Sequence, residues 1–357
     1  MTARRFIIAG LLASLVGCGS ASAAVIGVVA PRSGPYASLG AQIVQGARAA
    51  AEAAGDTVVE VDESCDESSG AAVARSLVDA RAAAAIGFLC VETLTTALPQ
   101  LKAEQIPAIS ISVRSKILME DASRNGWPFF RMAPVEGDEA EKLAEIILDL
   151  WKAEPIALVD DGTIYGRELA SAIRQQLEPM GITPVFTDTF RPGQEQQVAL
   201  VRRLAKAGAT HVFVGGDRND MAIIARDAVS EGIPLTLIGG DTLRAANRPV
   251  PLRDGVLAVA LPDYATLPSA AAAITALQTR NIDPDGYVLP AYAAVEVVHQ
   301  AISRAGNRPA TAAIASGSFN TAIGPIAFGV DQELKENPFR LLEWRGSAFA
   351  LSHPATE

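Results

Sequence analysis

The stretch VIGVVAPRSGPYASLGAQIVQGARAAAEAAG, residues 25–55, holds the pattern on which the rest of the chain is built. Residues 25–30 are apolar and mostly β-branched, which predicts a buried strand. Residues 33–36 have the composition of a loop. Residues 41–54 repeat apolar side chains at helical spacing until Gly55 ends the helix. The stretch is therefore predicted to fold as strand, loop and helix.

The same alternation of short apolar strands and longer amphipathic helices continues along the chain. Further strands are predicted at residues 57–61, 84–89, 108–112, 155–159, 183–189, 211–215, 235–239 and 256–261. Further helices are predicted at residues 71–82, 93–104, 139–152, 165–180, 196–207, 220–231, 269–279 and 288–305. The pattern restarts after residues 131–134, and hairpin-like strands follow at 325–344. We therefore expect two α/β lobes, each with a doubly wound parallel sheet, around a hinged ligand cleft.

Length and composition agree with two folded domains. The chain has 357 residues, of which 49% are hydrophobic and 20% charged, so a large core can form. Its net charge of −10 argues against nucleic acid or an anionic membrane as a partner, because both attract a basic surface.

The N-terminus has the features of an export signal. Arg4 and Arg5 precede an apolar run over residues 6–17, which is too short to span a bilayer. A small-x-small motif then predicts a signal peptide over residues 1–23 and a periplasmic protein. The run before Cys18 also resembles a lipoprotein signal, so Cys18 is either lipidated or removed with the peptide.

Two cysteines remain after export. Cys65 and Cys90 follow strands that are predicted to be neighbours, at the sheet edge where ligand crevices open. In an oxidising compartment they form either a disulfide or two free buried thiols.

The chain shows no catalytic pattern, and we expect a protein that is not an enzyme. No triad, nucleophile elbow, phosphate loop or metal-ligand spacing occurs, so no cofactor or metal is expected. Asp217 and Asp241 each follow a strand end and a double glycine. They are either turn residues or carboxylates that project into the cleft.

An ordered set of short motifs resembles the Leu/Ile/Val-binding protein family, the substrate-binding components of branched-chain amino acid ABC transporters. The motifs lie at residues 26–36 with Gly40, 60–66, 86–90, 106–110, 164–166, 214–216 and 323–328. The resemblance implies a type I periplasmic binding protein with a three-crossover hinge and a disulfide between Cys65 and Cys90. It divides the chain into an N-terminal lobe, 24–133 plus 265–325, and a C-terminal lobe, 134–264 plus 326–357.

The resemblance also implies several ligand contacts. Tyr36 and Tyr165 look like the aromatic residues that cover the ligand from the two lobes. Asp241 stands where the family places a carboxylate for the ligand's ammonium group. The loop with Asp217 and Arg218 usually supplies a tyrosine in the family, and here it does not.

The carboxylate-binding side departs from the family pattern. After Cys90 the family usually has serine, where this chain has Val91 and Glu92. Cys90, Val91 and Glu92 are all predicted to contact the ligand. The family's second ligand loop is replaced by a segment that includes the predicted contacts Ser112, Val113 and Arg114. Arg114 either binds the ligand's carboxylate through two parallel hydrogen bonds, or it points to solvent or pairs with Glu92 across the cleft mouth.

The resulting hypothesis is a monomeric solute-binding protein that delivers an amino acid or a related small carboxylate or amine to an ABC permease. The acidic loop residues favour a ligand with a cationic amine over a neutral sugar. The alternative is a periplasmic sensor that presents a small ligand to a signalling receptor. The ligand's identity does not follow from the sequence.

Overall fold

A computed structural model describes residues 23–245 and 250–352. The predicted signal peptide, except residue 23, and the candidate lipid-anchor residue Cys18 lie outside these residues. The strands are β1 (Val25–Ala30), β2 (Thr57–Asp62), β3 (Ala84–Gly87), β4 (Ala108–Ser110), β5 (Phe129–Arg131), β6 (Ile156–Asp160), β7 (Phe186–Thr189), β8 (His211–Gly215), β9 (Thr236–Gly239), β10 (Leu257–Ala260), β11 (Ser318–Thr321), β12 (Gly324–Ala327), β13 (Arg340–Arg345) and β14 (Ala348–Leu351).

Every predicted helix is present, although several begin or end at different residues, and the helices at Lys116–Asn125 and Thr311–Ser316 were not predicted. The helices are α1 (Ala37–Ala54), α2 (Gly70–Asp79), α3 (Val91–Ala103), α4 (Lys116–Asn125), α5 (Asp138–Trp151), α6 (Ile164–Leu177), α7 (Val198–Lys206), α8 (Arg218–Ser230), α9 (Ala271–Gln278), α10 (Val288–Ala305) and α11 (Thr311–Ser316). Helix α1 begins four residues before its predicted start, directly after the loop. It ends as predicted at Gly55, whose φ of 76° is readily adopted by glycine.

Two sheets organise the chain. The first has the order β2-β1-β3-β4-β5 and is parallel throughout. The second has the order β14-β13-β10-β9-β8-β6-β7, in which β10 to β7 are parallel and β13 and β14 are antiparallel additions. Successive side chains of β1, Val28 and Val29, point into different buried clusters, so the first sheet is covered on both faces. The predicted α/β class with doubly wound parallel sheets is confirmed.

The chain passes three times between the two sheets. It leaves the first sheet after β5, returns after β10 to form α9 and α10, and leaves again after β12 to form β13. Helix α10 packs against α1, and Phe328 packs against Phe130 of β5 with ring centroids 5.1 Å apart. The precise lobe limits given above stay a prediction. Among the described residues, no helix is long and apolar enough to cross a membrane.

A buried ion pair ties two of these crossings together. Arg131, at the end of β5, is completely buried, and its Nε donates to Glu333 Oε2 at 2.6 Å. The Arg131 Nη2 atom pairs with the other Glu333 oxygen, and Nη1 donates to the Ser115 carbonyl at 3.0 Å. Glu333 lies in the segment between β12 and β13, so the first and third crossings are joined.

The contact between α1 and α10 depends on a glycine. A Cβ atom on Gly46 would lie 2.0 Å from the carbonyl oxygen of Val288. Gly46→Ala should therefore lower the free energy of unfolding by about 1–3 kcal/mol, because the helices must move apart. The exposed neighbour Gln45 provides the control, since Gln45→Ala should be nearly neutral. Urea unfolding of both variants tests this, and equal stability of the two would contradict the close approach.

Candidate functional site

A tight turn follows β3 at the carboxyl edge of the first sheet. Gly87 and Phe88 both have positive φ, 102° and 57°. The Phe88 carbonyl accepts hydrogen bonds from the hydroxyls of Ser110 and Ser112, at 3.1 and 2.9 Å. The Leu89 backbone amide donates to Glu63 Oε1 at 2.6 Å. Side chains therefore hold this turn from two sides, even though its backbone is unfavourable for Phe88.

A disulfide closes the end of the same turn. Cys65 and Cys90 are bonded, with their Cα atoms 5.1 Å apart. The predicted disulfide is thus confirmed, and the alternative of two free thiols does not hold. The two cysteines follow β2 and β3, which lie on either side of β1, so the expectation that these strands are neighbours was wrong. Cys90 also stands directly before the first residue of α3, Val91. The first-turn amides of that helix favour an anion at this point.

A cavity of about 460 Å³ opens beside the turn. It contains seven of the residues predicted to contact ligand, namely Tyr36, Cys90, Val91, Glu92, Ser112, Val113 and Arg114. Tyr287, just before α10, also lines it and was missed from the sequence. A second cavity of about 280 Å³ shares Ser112, Arg114 and Tyr287 and reaches Arg244 and Asp263, which flank β10. The fold therefore brings the predicted ligand contacts of the first lobe together in one cavity, which lies next to residues of the second lobe.

Arg114 is the cationic residue that lines both cavities. Its side chain is exposed, and among the described residues it forms no hydrogen bond or ion pair, with Glu92 or any other residue. Its positive charge acts across the cleft, because it lowers the otherwise raised pKa values of Asp138 and Glu139 at the start of α5. Arg114 is thus available to an anion that enters the cleft.

The second-lobe side is centred on Glu139, which sequence reasoning missed. Its Oε1 atom accepts from the Tyr165 hydroxyl at 2.6 Å and from the Asp241 backbone amide at 2.7 Å. Burial is the main cause that raises the pKa of Glu139, and the charge of Asp241 raises it further. Burial likewise raises the pKa of the Tyr165 hydroxyl. In the sequence, Glu139 is only an acidic residue in a first helical turn, a common place for one.

Asp241 and Tyr165 both bind Glu139 Oε1, and Gly240 leaves room for the contact between Tyr165 and Glu139. One Asp241 carboxylate oxygen accepts from the Leu261 amide at 3.1 Å. A Cβ atom on Gly240 would lie 2.2 Å from Glu139 Oε1 and 2.4 Å from the Tyr165 hydroxyl. Glycine is therefore needed beside this pair. Asp241 lies beside the acidic residue Glu139, and a cationic group bound there would reduce the repulsion between the two carboxylates.

Asp217 and Arg218 have other contacts. The Asp217 side chain caps α8 by accepting from the Asp220 amide at 2.9 Å. Arg218 is buried, donates to the Leu243 carbonyl at 2.7 Å and lies over the Trp344 ring at 4.4 Å. Neither residue lines the two cavities that contain Arg114, and Tyr165 and Asp241 do not line them either. The ligand contacts of all predicted site residues stay a prediction. Within the described ranges, no group of three acidic, histidine or cysteine residues is placed to hold a metal.

Comparison with known proteins identifies the family. Residues 24–348 match the family described as periplasmic binding protein, and the chain belongs to it. It is 28% identical to a "Leu/Ile/Val-binding protein homolog 3" of Brucella melitensis, over 93% of this chain and 95% of that one. An "Amino acid binding protein" of Pseudomonas aeruginosa is also 28% identical, over 96% of both chains. The resemblance inferred from the motifs is thus confirmed.

Solved structures share the fold. A structure described as a branched-chain amino acid ABC transporter protein from Rhodospirillum rubrum has a TM-score of 0.75 at 18% identity, covering 92% of this chain and all of that one. A substrate-binding protein from Desulfitobacterium hafniense in complex with Leu has a TM-score of 0.63 at 20% identity, covering 92% and 99%. An R. palustris solute-binding protein in complex with 4-hydroxybenzoate has a TM-score of 0.58 at 16% identity, covering 93% and 96%. The type I periplasmic binding protein fold is confirmed.

Proposed function

We propose that this chain is the extracytoplasmic solute-binding component of an ABC transporter and that it captures a small amino-acid-like solute between its lobes. The observation that carries the proposal is the charge arrangement of the cleft. An exposed arginine, Arg114, faces the cleft from the first lobe, and the carboxylates of Glu139 and Asp241 lie on the second. A solute with an anionic and a cationic end complements both sides.

The first lobe supplies the carboxylate subsite. The Arg114 guanidinium offers a planar fork of donors that matches a carboxylate. The first-turn amides of α3 add partial positive charge beside the same cavity. Val91 contributes apolar surface there, where the family pattern has a hydroxyl. Glu92 is exposed at the rim and adds a negative charge that an approaching amine would meet.

The second lobe supplies the amine subsite. Asp241 is the acceptor that the family resemblance implies, and Glu139 lies directly beside it. Two tyrosines would cover the bound ligand. One is Tyr165, which is hydrogen-bonded to Glu139, and the other is the exposed Tyr36 of the first lobe. Closure of the lobes would bring the two subsites onto one ligand, and the ligand's preference for the closed form would stabilise it.

The ligand class is an amino acid or a related small carboxylate or amine. The relatives are named for leucine, isoleucine and valine, and solved structures of the fold hold leucine or 4-hydroxybenzoate. The residues Val91 and Arg114 change the carboxylate side, so leucine is one member of the class to be tested and not the assumed ligand.

The family assignment supports delivery of the solute to a membrane permease. Periplasmic binding proteins of amino acid transporters work with permeases that are separate chains, and we propose the same for this protein, acting as a monomer in the periplasm. The predicted signal peptide supports that location, either as a free protein or with Cys18 as a lipid anchor.

Arg114→Ala should weaken binding of a carboxylate ligand by about 30-fold or more, because a charge-assisted pair contributes about 2 kcal/mol or more. Calorimetric titration of the purified protein with L-leucine, 4-aminobutanoate and benzoate measures the change. Arg75→Ala, at an exposed position on α2, is the matched control and should bind as the wild type does. Equal affinity of the Arg114 variant and the control would refute the carboxylate subsite.

A further inference from the structure

Glu63 is a buried carboxyl group beside the ligand cavity that the proposed binding chemistry does not use. It directly follows β2 and is only 2% exposed. Its Oε1 atom accepts from the Leu89 amide at 2.6 Å. Its other oxygen, Oε2, is buried without a hydrogen-bond partner among the described residues. A native protein rarely leaves a buried polar atom unpaired, so this group calls for a functional explanation.

The turn after β3, to which Glu63 is hydrogen-bonded, forms part of the lining of the cavity that contains Arg114. Leu89 and the next two residues, Cys90 and Val91, line the cavity that contains Arg114. The disulfide ties Cys90 to Cys65, two residues after Glu63. Protonation of the Glu63 carboxyl therefore acts through the hydrogen bond from the Leu89 amide on the backbone of the proposed carboxylate subsite.

The charges around Glu63 are unfavourable for its ionised form. Burial raises the pKa of Glu63 to about 7, and the negative charges of Asp62 and Glu92 act in the same direction. The hydrogen bond from the Leu89 amide and, to a smaller extent, the nearby Cys90 amide oppose this and are outweighed. Asp62 ends β2 and Glu92 lies in the first turn of α3, so both neighbouring elements present acidic groups to Glu63.

We propose that Glu63 is a positioning residue for the carboxylate-binding turn and that it takes up a proton when a carboxylate binds there. This inference rests on the proposed function of the cleft. A bound carboxylate places a further negative charge near Glu63 and so favours the neutral carboxylic acid. The proton comes from solvent and stays on Glu63 until the ligand leaves.

The sign of the pH dependence follows from this linkage. Below pH 6, Glu63 is already protonated in the free protein, so ligand binding takes up few further protons. Above pH 7, the free protein must gain the proton, so affinity falls as pH rises through the pKa of Glu63. If the bound carboxylate raises the pKa of Glu63 by about one unit, affinity should be about fivefold higher at pH 6 than at pH 8.

The first arm of the test needs no ligand. NMR of the ¹³C,¹⁵N-labelled protein follows the Glu63 carboxyl carbon and the Leu89, Cys90 and Val91 amides from pH 5 to 9. All four signals should titrate with one midpoint near 7, and the amide changes should vanish in Glu63→Gln, which keeps the acceptor oxygen. Glu67→Gln, at an exposed position, is the control and should leave them unchanged. Amides that titrate equally in Glu63→Gln, or a Glu63 carboxyl that titrates near its ordinary value, would overturn the proposal.

The second arm measures binding of L-leucine and benzoate by calorimetry at pH 6 and pH 8, in buffers of different ionisation enthalpy. The wild type should take up a fraction of a proton at pH 8 and lose about fivefold in affinity, while Glu63→Gln should show neither effect. Binding without proton uptake would overturn the linkage. Should neither compound bind, the carboxylate subsite fails while the ligand-free titration still decides the positioning role. If Glu63→Gln does not fold, the wild-type titration and proton uptake alone decide.

Discussion

Replacing Glu333 with glutamine should lower the free energy of unfolding by about 3–5 kcal/mol. The variant keeps the side chain's shape and removes the charge that neutralises Arg131, which is completely buried. A buried guanidinium cannot lose its proton, so it stays charged without its hydrogen-bonded counter-ion. The neutral glutamine and the Ser115 carbonyl can accept hydrogen bonds from Arg131, but neither supplies a counter-charge.

Urea unfolding at pH 7 measures this loss. Glu336→Gln is the matched control, since Glu336 is 74% exposed and lies 3.9 Å from Arg340. An exposed pair of this kind contributes at most about 1 kcal/mol, so the control should remain close to the wild type. Two variants of equal stability would show that the Arg131–Glu333 pair does not join the first and third crossings as described.

Removal of the disulfide should lower the free energy of unfolding by about 3–4 kcal/mol. The bond closes a loop with a sequence separation of 25 residues, and its loss allows the unfolded chain more conformations. Cys65→Ser with Cys90→Ser is the variant to use, because a single substitution would leave a reactive thiol at the cavity. The turn that carries Leu89 should also become more mobile.

Chemical reduction is the internal control for the disulfide. Dithiothreitol should destabilise the wild type by the same amount and leave the double variant unchanged. If thiol titration shows that the Cys65–Cys90 bond has been reduced and the stability of the wild type is nevertheless unchanged, the contribution of this bond to stability would be contradicted.

The sequence predicted those features that depend on local patterns. The apolar run at residues 25–30 and the glycine that ends α1 specify strand and helix within their own neighbourhood. The cleft residues near Arg114 were also predictable, because the carboxyl ends of parallel strands meet at one edge. The order of elements along the chain and the resemblance to the family were sufficient to predict these elements and these cleft residues.

Contacts between distant residues were not predictable in this way. Glu139 and Asp241 are 102 positions apart, and Arg131 and Glu333 are 202 apart. Glu63 appears in the sequence as one more acidic residue after a strand, and only its burial against Leu89 distinguishes it. Such pairs depend on how the lobes and crossings pack, and a single sequence carries no local signal for that.

We propose that the cleft binds a small solute with a carboxylate through Arg114. The most direct measurement is the thermal unfolding midpoint of the wild type and Arg114→Ala against a panel of amino acids, small carboxylates, amines, amides and aromatic acids. A ligand that binds the folded state raises the midpoint by mass action. We predict that one class of carboxylates raises the midpoint of the wild type and leaves that of Arg114→Ala unchanged. A panel without any carboxylate response, or one in which both proteins respond equally, would contradict the account.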